Sequence, residues 1–168
     1  MVLSGSVRKI VLTVHVSSSV GWFGAVGGFL ALAIAGLTSQ DSQTMRAAYI
    51  SMGLTAWFVI VPLALASLLT GIASSLASRW GLFRHYWVLV KLLITPFATV
   101  VLLVHLQPIQ LLAAAATRAG ILDADLHQSQ ILMVAASSAA LLALLVLATL
   151  SVYKPRGMTS HGARKQLG

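Results

Sequence analysis

The chain has 168 residues, of which 58% are hydrophobic and only 8% charged, and its formal net charge is +8. A soluble domain carries about 25% charged residues, so this composition excludes one and calls for an integral membrane protein. The basic excess would suggest nucleic acid in a soluble chain, but most of it lies beside apolar stretches, where it sets topology and meets anionic lipid, so no nucleic-acid partner is expected. There are no cysteines, which excludes disulfides, thiolate metal sites and cysteine nucleophiles.

In chain order, four stretches are long and apolar enough to cross a hydrocarbon core, which needs about 20 mostly apolar residues. They are residues 10–37, 47–76, 86–106 and 131–152. The expected fold class is all-α: one transmembrane four-helix bundle over residues 1–153, followed by a basic tail, 154–168. Small residues at Ala33-Ile34-Ala35-Gly36 resemble a signal-peptide cleavage site. The apolar stretch before them is too long for a leader and contains His15, so the first span is expected to stay.

Arg8 and Lys9, then Arg79 and Arg84, then Lys154, Arg156, Arg164 and Lys165 fall on one side of these spans. Opposite them are Arg46 and Arg118, with all three acids, Asp41, Asp123 and Asp125. Positive loops stay inside, which puts both termini in the cytoplasm of a multi-pass plasma (inner) membrane protein.

Within the first span, Ser17, Gly21, Gly24 and Gly28 recur every three or four residues, a face that lets a second backbone approach closely, in the bundle or in a homo-oligomer or partner protein. Pro62 and Pro96 should kink the second and third spans, with hydroxyls such as Thr99 satisfying freed carbonyls. Pro108 follows the expected end of the third span, and residues 109–121 read as a surface amphipathic helix.

Lys91 stands out inside the third span, where an ionisable group costs a few kcal/mol unless it snorkels, pairs or meets water. It lies seven residues beyond Arg84, and His15 lies six beyond Lys9, so each is about 10 Å inside the same membrane edge. His15, Ser18, Ser19 and Trp22 form one stripe of the first helix, and Lys91, Thr95, Ala98, Leu102 and His105 form one of the third. Thr70, Ser74 and Ser75 add hydroxyls at the same end.

A neutral imidazole and a deprotonated amine are both iron ligands, so His15 and Lys91 can clasp a haem b between the first and third helices, with Arg84 near its propionates. The structural alternatives are a Lys91 that snorkels and a His15 that donates to a carbonyl or serine of a neighbouring helix. Trp22 reads either as packing or as a cofactor contact. His105 and His127, near the opposite face, offer an alternative copper site.

The chain has no glutamate, no carboxylate within a span and no phosphate-loop, zinc-protease or nucleophile motif, so hydrolytic and carboxylate-pump chemistry is not expected. Nothing in the sequence separates an enzyme from a cofactor carrier or from a non-enzymatic subunit that packs against partner proteins.

The segment His15-Val16-Ser17-Ser18-Ser19-Val20-Gly21-Trp22-Phe23-Gly24 and the segment Tyr86-Trp87-Val88-Leu89-Val90-Lys91, with His105 closing that span, resemble a broad group of small bacterial membrane proteins. The group includes HemJ-type protoporphyrinogen oxidases, the membrane domain of copper-resistance D proteins and uncharacterised integral membrane families. The strongest resemblance is to one of the last, through Leu69-Thr70-Gly71, the run from Trp80 to Trp87, and Lys91. It covers about residues 7–105. The HemJ resemblance implies haem b ligation by His15 and Lys91. HemJ-type proteins continue their first span into an arginine and an aromatic-histidine segment, whereas this chain has Ala31 to Gly36 and then Thr38-Ser39-Gln40-Asp41, which speaks against protoporphyrinogen oxidation and leaves the haem-binding expectation in place.

Overall fold

Hydrocarbon offers no water to a backbone amide, so a chain of this composition must satisfy its own polar groups in helices. The computed structural model describes residues 4–76, 86–117 and 124–153, and among them only Ser4 and residues 39–41 are not helical. Helix α1 covers Gly5–Thr38, α2 Ser42–Thr55, α3 Val61–Leu76, α4 Tyr86–Thr117 and α5 Ala124–Tyr153. A π-helical turn, Ala56–Ile60, joins α2 to α3, so that Ser42–Leu76 forms one rod among four helices long and apolar enough to cross a membrane. The protein is an all-α, four-span membrane protein. From Lys9 to Thr38, α1 is about 43 Å long, close to a bilayer with its headgroups.

Helix α1 packs along the α2–α3 rod and along α5, and α4 does the same from the other side. Among the described residues α1 and α4 make no close backbone approach, nor does the rod with α5. The spans therefore stand at the corners of a square in chain order, with α1 and α4 on one diagonal. The core between them is apolar, with Trp22, Phe29, Met52, Leu106, Leu112 and Met133 among its buried members.

Each span is longer than its apolar stretch, because caps and packing set the ends. Asp41 begins α2: its carboxylate accepts from the Thr44 hydroxyl at 2.6 Å and from the Thr44 and Gln43 amides at 2.9 and 3.4 Å. At the same end of the bundle Arg46 closes α4, donating from Nε to the Ala116 carbonyl at 2.7 Å and from Nη2 to that of Thr117 at 3.3 Å. A cation on the last carbonyls of a helix also offsets its dipole.

The largest departure from the sequence expectation is at Pro108. It does not end the third span: α4 runs through both Pro96 and Pro108 to Thr117. Residues up to 117 form no separate surface helix, because Ile109, Leu112 and Ala116 are buried in the core, and that packing outweighs one missing amide. The rest of the expected segment, 118–121, lies outside the described residues, as do residues 77–85, with Arg84, and the tail 154–168.

Pro62 acts through the turn before it. It lacks an N–H and its ring crowds the carbonyl four residues back; directly upstream, Val61 N–H bonds the Ala56 carbonyl, a π-type bond one residue longer than the α-helical one. Thr99 was expected to serve a carbonyl freed by Pro96. It donates instead to Thr95 at 2.9 Å, whereas the amide missing at Pro96 would have served residue 92.

The glycines divide differently from the expected stripe. An added Cβ at Gly21 would meet Leu63 at 3.2 Å, but at Gly24 and Gly28 it would meet nothing within 4 Å. The closest approach is at Gly36, where a Cβ would stand 2.7 Å from the Tyr49 ring, and Tyr49 is fully buried. Gly36→Val should lower unfolding stability by about 2 kcal/mol, while Gly24→Ala, with open space for its Cβ, should raise it by up to about 1 kcal/mol; thermal unfolding in detergent measures both, and a loss of stability in both would contradict the packing described.

The hydrogen bonds from Thr44, side chain first and then backbone, and from the Gln43 amide hold the Asp41 carboxyl below its ordinary pKa of 3.8. A depressed folded-state pKa means that the cap contributes fully above the ordinary value and is lost as pH falls through the lower one. Acid titration of the thermal midpoint should show this loss in the native chain and a flatter curve in Asp41→Asn.

Candidate functional site

The stripe of α1 containing His15 meets the stripe of α3 containing Ser67, Thr70 and Gly71. Gly71 makes the approach possible: a Cβ there would lie 3.0 Å from His15 Cε1, so the imidazole rests against bare backbone. His15 Nδ1 lies 3.1 Å from the Ser67 carbonyl and 3.3 Å from Thr70 Oγ1. A carbonyl only accepts, so Nδ1 carries the proton and donates, and a neutral ring keeps its lone pair on Nε2. The Thr70 hydroxyl donates to the Ala66 carbonyl at 2.5 Å.

The same junction continues one turn deeper. Ser19 Oγ bonds Ser67 Oγ at 2.7 Å and the His15 carbonyl at 2.7 Å, and Ser18 also donates to that carbonyl at 3.1 Å. Ser18 and Ser67 are buried. Ser74, two turns nearer the helix end on the Ser67 face of α3, has a buried hydroxyl oxygen with no hydrogen-bond partner among the described residues.

Lys91 stands on the other end of the diagonal. It is half-buried, and its ammonium donates to Ser151 Oγ of α5 at 2.7 Å, while Ser151 donates to the Leu147 carbonyl at 2.7 Å. The stem therefore reaches sideways to a neighbouring helix. All three acidic residues of the chain belong to its opposite end by sequence order.

The other expected residues are placed as follows. Trp22 is a core residue, 4% exposed, directly below the His15 cluster on α1. His105 turns Nδ1 back to the Val101 carbonyl of its own helix at 2.8 Å, and His127 bonds the Gln130 side chain at 3.3 Å. Among the described residues there is no group of three or more His, Cys, Asp or Glu able to hold a metal ion.

Ser67, Ser151 and Gly71 were not singled out as site residues from sequence. Ser67 shares a helical face with Thr70 and Ser74, which is a usable indication; Ser151 has none beyond its position three residues before Lys154. No family model, curated protein or solved structure matches this chain.

Proposed function

We propose that the protein is a non-enzymatic haem b carrier or electron-transfer protein, with its site at the end of the bundle shared by the two termini. The observation that carries this reading is the His15 ring held by Nδ1 on the Ser67 carbonyl. That contact fixes the tautomer and orientation and leaves Nε2 as the ligating nitrogen, the arrangement by which protein imidazoles bind metal. Lys91, across the diagonal, supplies the second ligand. A neutral amine retains two N–H donors, so its bond to Ser151 is compatible with ligation. The resemblance to HemJ-type proteins assigns haem to the same two residues.

A bound haem supplies a one-electron centre; the chain's part is to orient His15, exclude water with Trp22 and tune the site through the Ser67–Thr70 junction. Following the positive-inside rule, we place this end at the cytoplasmic face of a plasma membrane. Protein expressed with ample haem and purified in detergent should show a Soret band that His15→Ala removes and Lys91→Met shifts, with Thr70→Val weakening binding by roughly tenfold. A haem-replete preparation without a Soret band overturns the reading.

A second reading is favoured by one observation. Ser17, Gly24 and Gly28 are exposed on α1, and the space above both glycines is open, which suits close packing against a second copy of the chain. Cross-linking in detergent should then trap a dimer in the native chain and not in Gly24→Leu; a native chain that stays monomeric rejects it.

A further inference from the structure

The opposite end of the bundle holds a groove of about 260 Å³ between α2, with its π turn, and α4. Gly53, Leu54, Trp57, Gln110, Ala114 and Thr117 are among the residues lining it. Gly53 sets its floor, since a Cβ there would come within 3.0 Å of Ala113. The groove belongs to two membrane-length helices, and Trp57 is 47% exposed and Phe58 77% exposed along it. In a bilayer this groove therefore opens toward the lipid.

Two polar features show which lipid. Arg46 stands at the mouth, bonded to the carbonyls of Ala116 and of Thr117, itself a lining residue. Those bonds use one N–H of Nε and one of Nη2, leaving three of the five guanidinium donors for another group. Gln110 lies seven residues inward from Thr117, about 10 Å deeper. It is exposed, and among the described residues its amide has no hydrogen-bond partner, an expensive state for a polar group facing hydrocarbon. From Ile50 to Phe58 the groove follows α2 and its π turn for about 12 Å, and Arg46 lies one turn beyond it.

We propose that this groove is a binding site for one anionic phospholipid. The phosphate sits on the free edge of Arg46, the glycerol backbone passes Ala114, an ester carbonyl accepts from the Gln110 amide, and an acyl chain continues along Gly53, Trp57 and Phe58. The apolar length, the unpartnered donor and the cation follow one another in the order in which a phospholipid presents chain, ester and phosphate. Asp41, the described acid at this end, is occupied by the α2 cap. The site is independent of the His15 cluster, so it stands whether or not haem binds there.

Trp57 gives a local readout. In a chain with Trp22→Phe, Trp80→Phe and Trp87→Phe, reconstituted in phosphatidylcholine vesicles, brominated phosphatidylglycerol should quench Trp57 with about fivefold preference over brominated phosphatidylcholine. Arg46→Gln should remove that preference, and Arg46→Lys, which keeps the charge, should retain most of it. Ala114→Leu, which fills the groove and leaves Arg46 in place, should reduce quenching by both lipids. Equal quenching by the two lipids, or a preference that survives Arg46→Gln, overturns the proposal. Should the triple substitution fail to fold, native mass spectrometry of the chain with all four tryptophans replaces it: one phosphatidylglycerol retained in preference to phosphatidylcholine, and lost in Arg46→Gln and Gln110→Leu, is the expected result, and retention unchanged in both variants overturns it.

Discussion

A hydrogen-bonding group in hydrocarbon has only the protein to turn to, and that constraint governs nearly every polar side chain here. Most hydroxyls fold back on their own helix: Thr38 on Ile34, Thr99 on Thr95, Ser137 on Met133 and Thr149 on Leu145. Such bonds satisfy the hydroxyl without committing the helix to a neighbour. The side-chain bonds that do cross between helices fall at the two ends, His15 and Ser19 with α3 and Lys91 with α5 at one, Arg46 with α4 at the other. Between them the spans meet through apolar packing and close contacts at small residues, as at Gly21 against Leu63. Polar specificity is thus concentrated where the bundle approaches the headgroups, and the middle is left to shape.

This division explains what was legible in the sequence. The spans and the helical class depend on counting residues along a helix, and the chain carries those counts openly. Pro108 misled because a proline after Leu106-Gln107 looks like a stop, while the apolar positions Ile109, Leu112 and Ala116 that override it continue the period of the preceding helix. Their spacing of three and four was the available indication, and it also fits a surface helix. Only the partner surface on α2 separates the two.

The side-chain partners were harder to read for a geometric reason. Depth follows from sequence, but the rotation of one helix against another does not. Ser67 and Ser151 become partners of His15 and Lys91 only once α3 and α5 are turned to face them. The same limit applies to glycine: Gly24 and Gly36 look alike in a run of small residues, yet one borders open space and the other receives the Tyr49 ring. Arg46 appeared in sequence only as a topology-setting charge. Its role as a lid on α4 depends on that helix being longer than its apolar stretch.

The π turn at Ala56–Ile60 has a consequence for insertions and deletions. A π turn holds one residue more than the α-helical turn it replaces, and each residue of an α-helix advances the side-chain direction by about 100°. Everything on α3 therefore takes its angular phase from this turn. Removing a single residue within it would restore a regular helix and leave Ser67, Thr70 and Gly71 facing His15, whereas removing one from α3 between the turn and Ser67 would carry all three about 100° around the axis while α2, Tyr49 and the Asp41 cap kept their places. The second span thus has a local frame-setting element. It allows the hydroxyl face at one end of the rod and the tyrosine–glycine contact at the other to be in phase with α1 at once, which an uninterrupted helix of this sequence would not achieve.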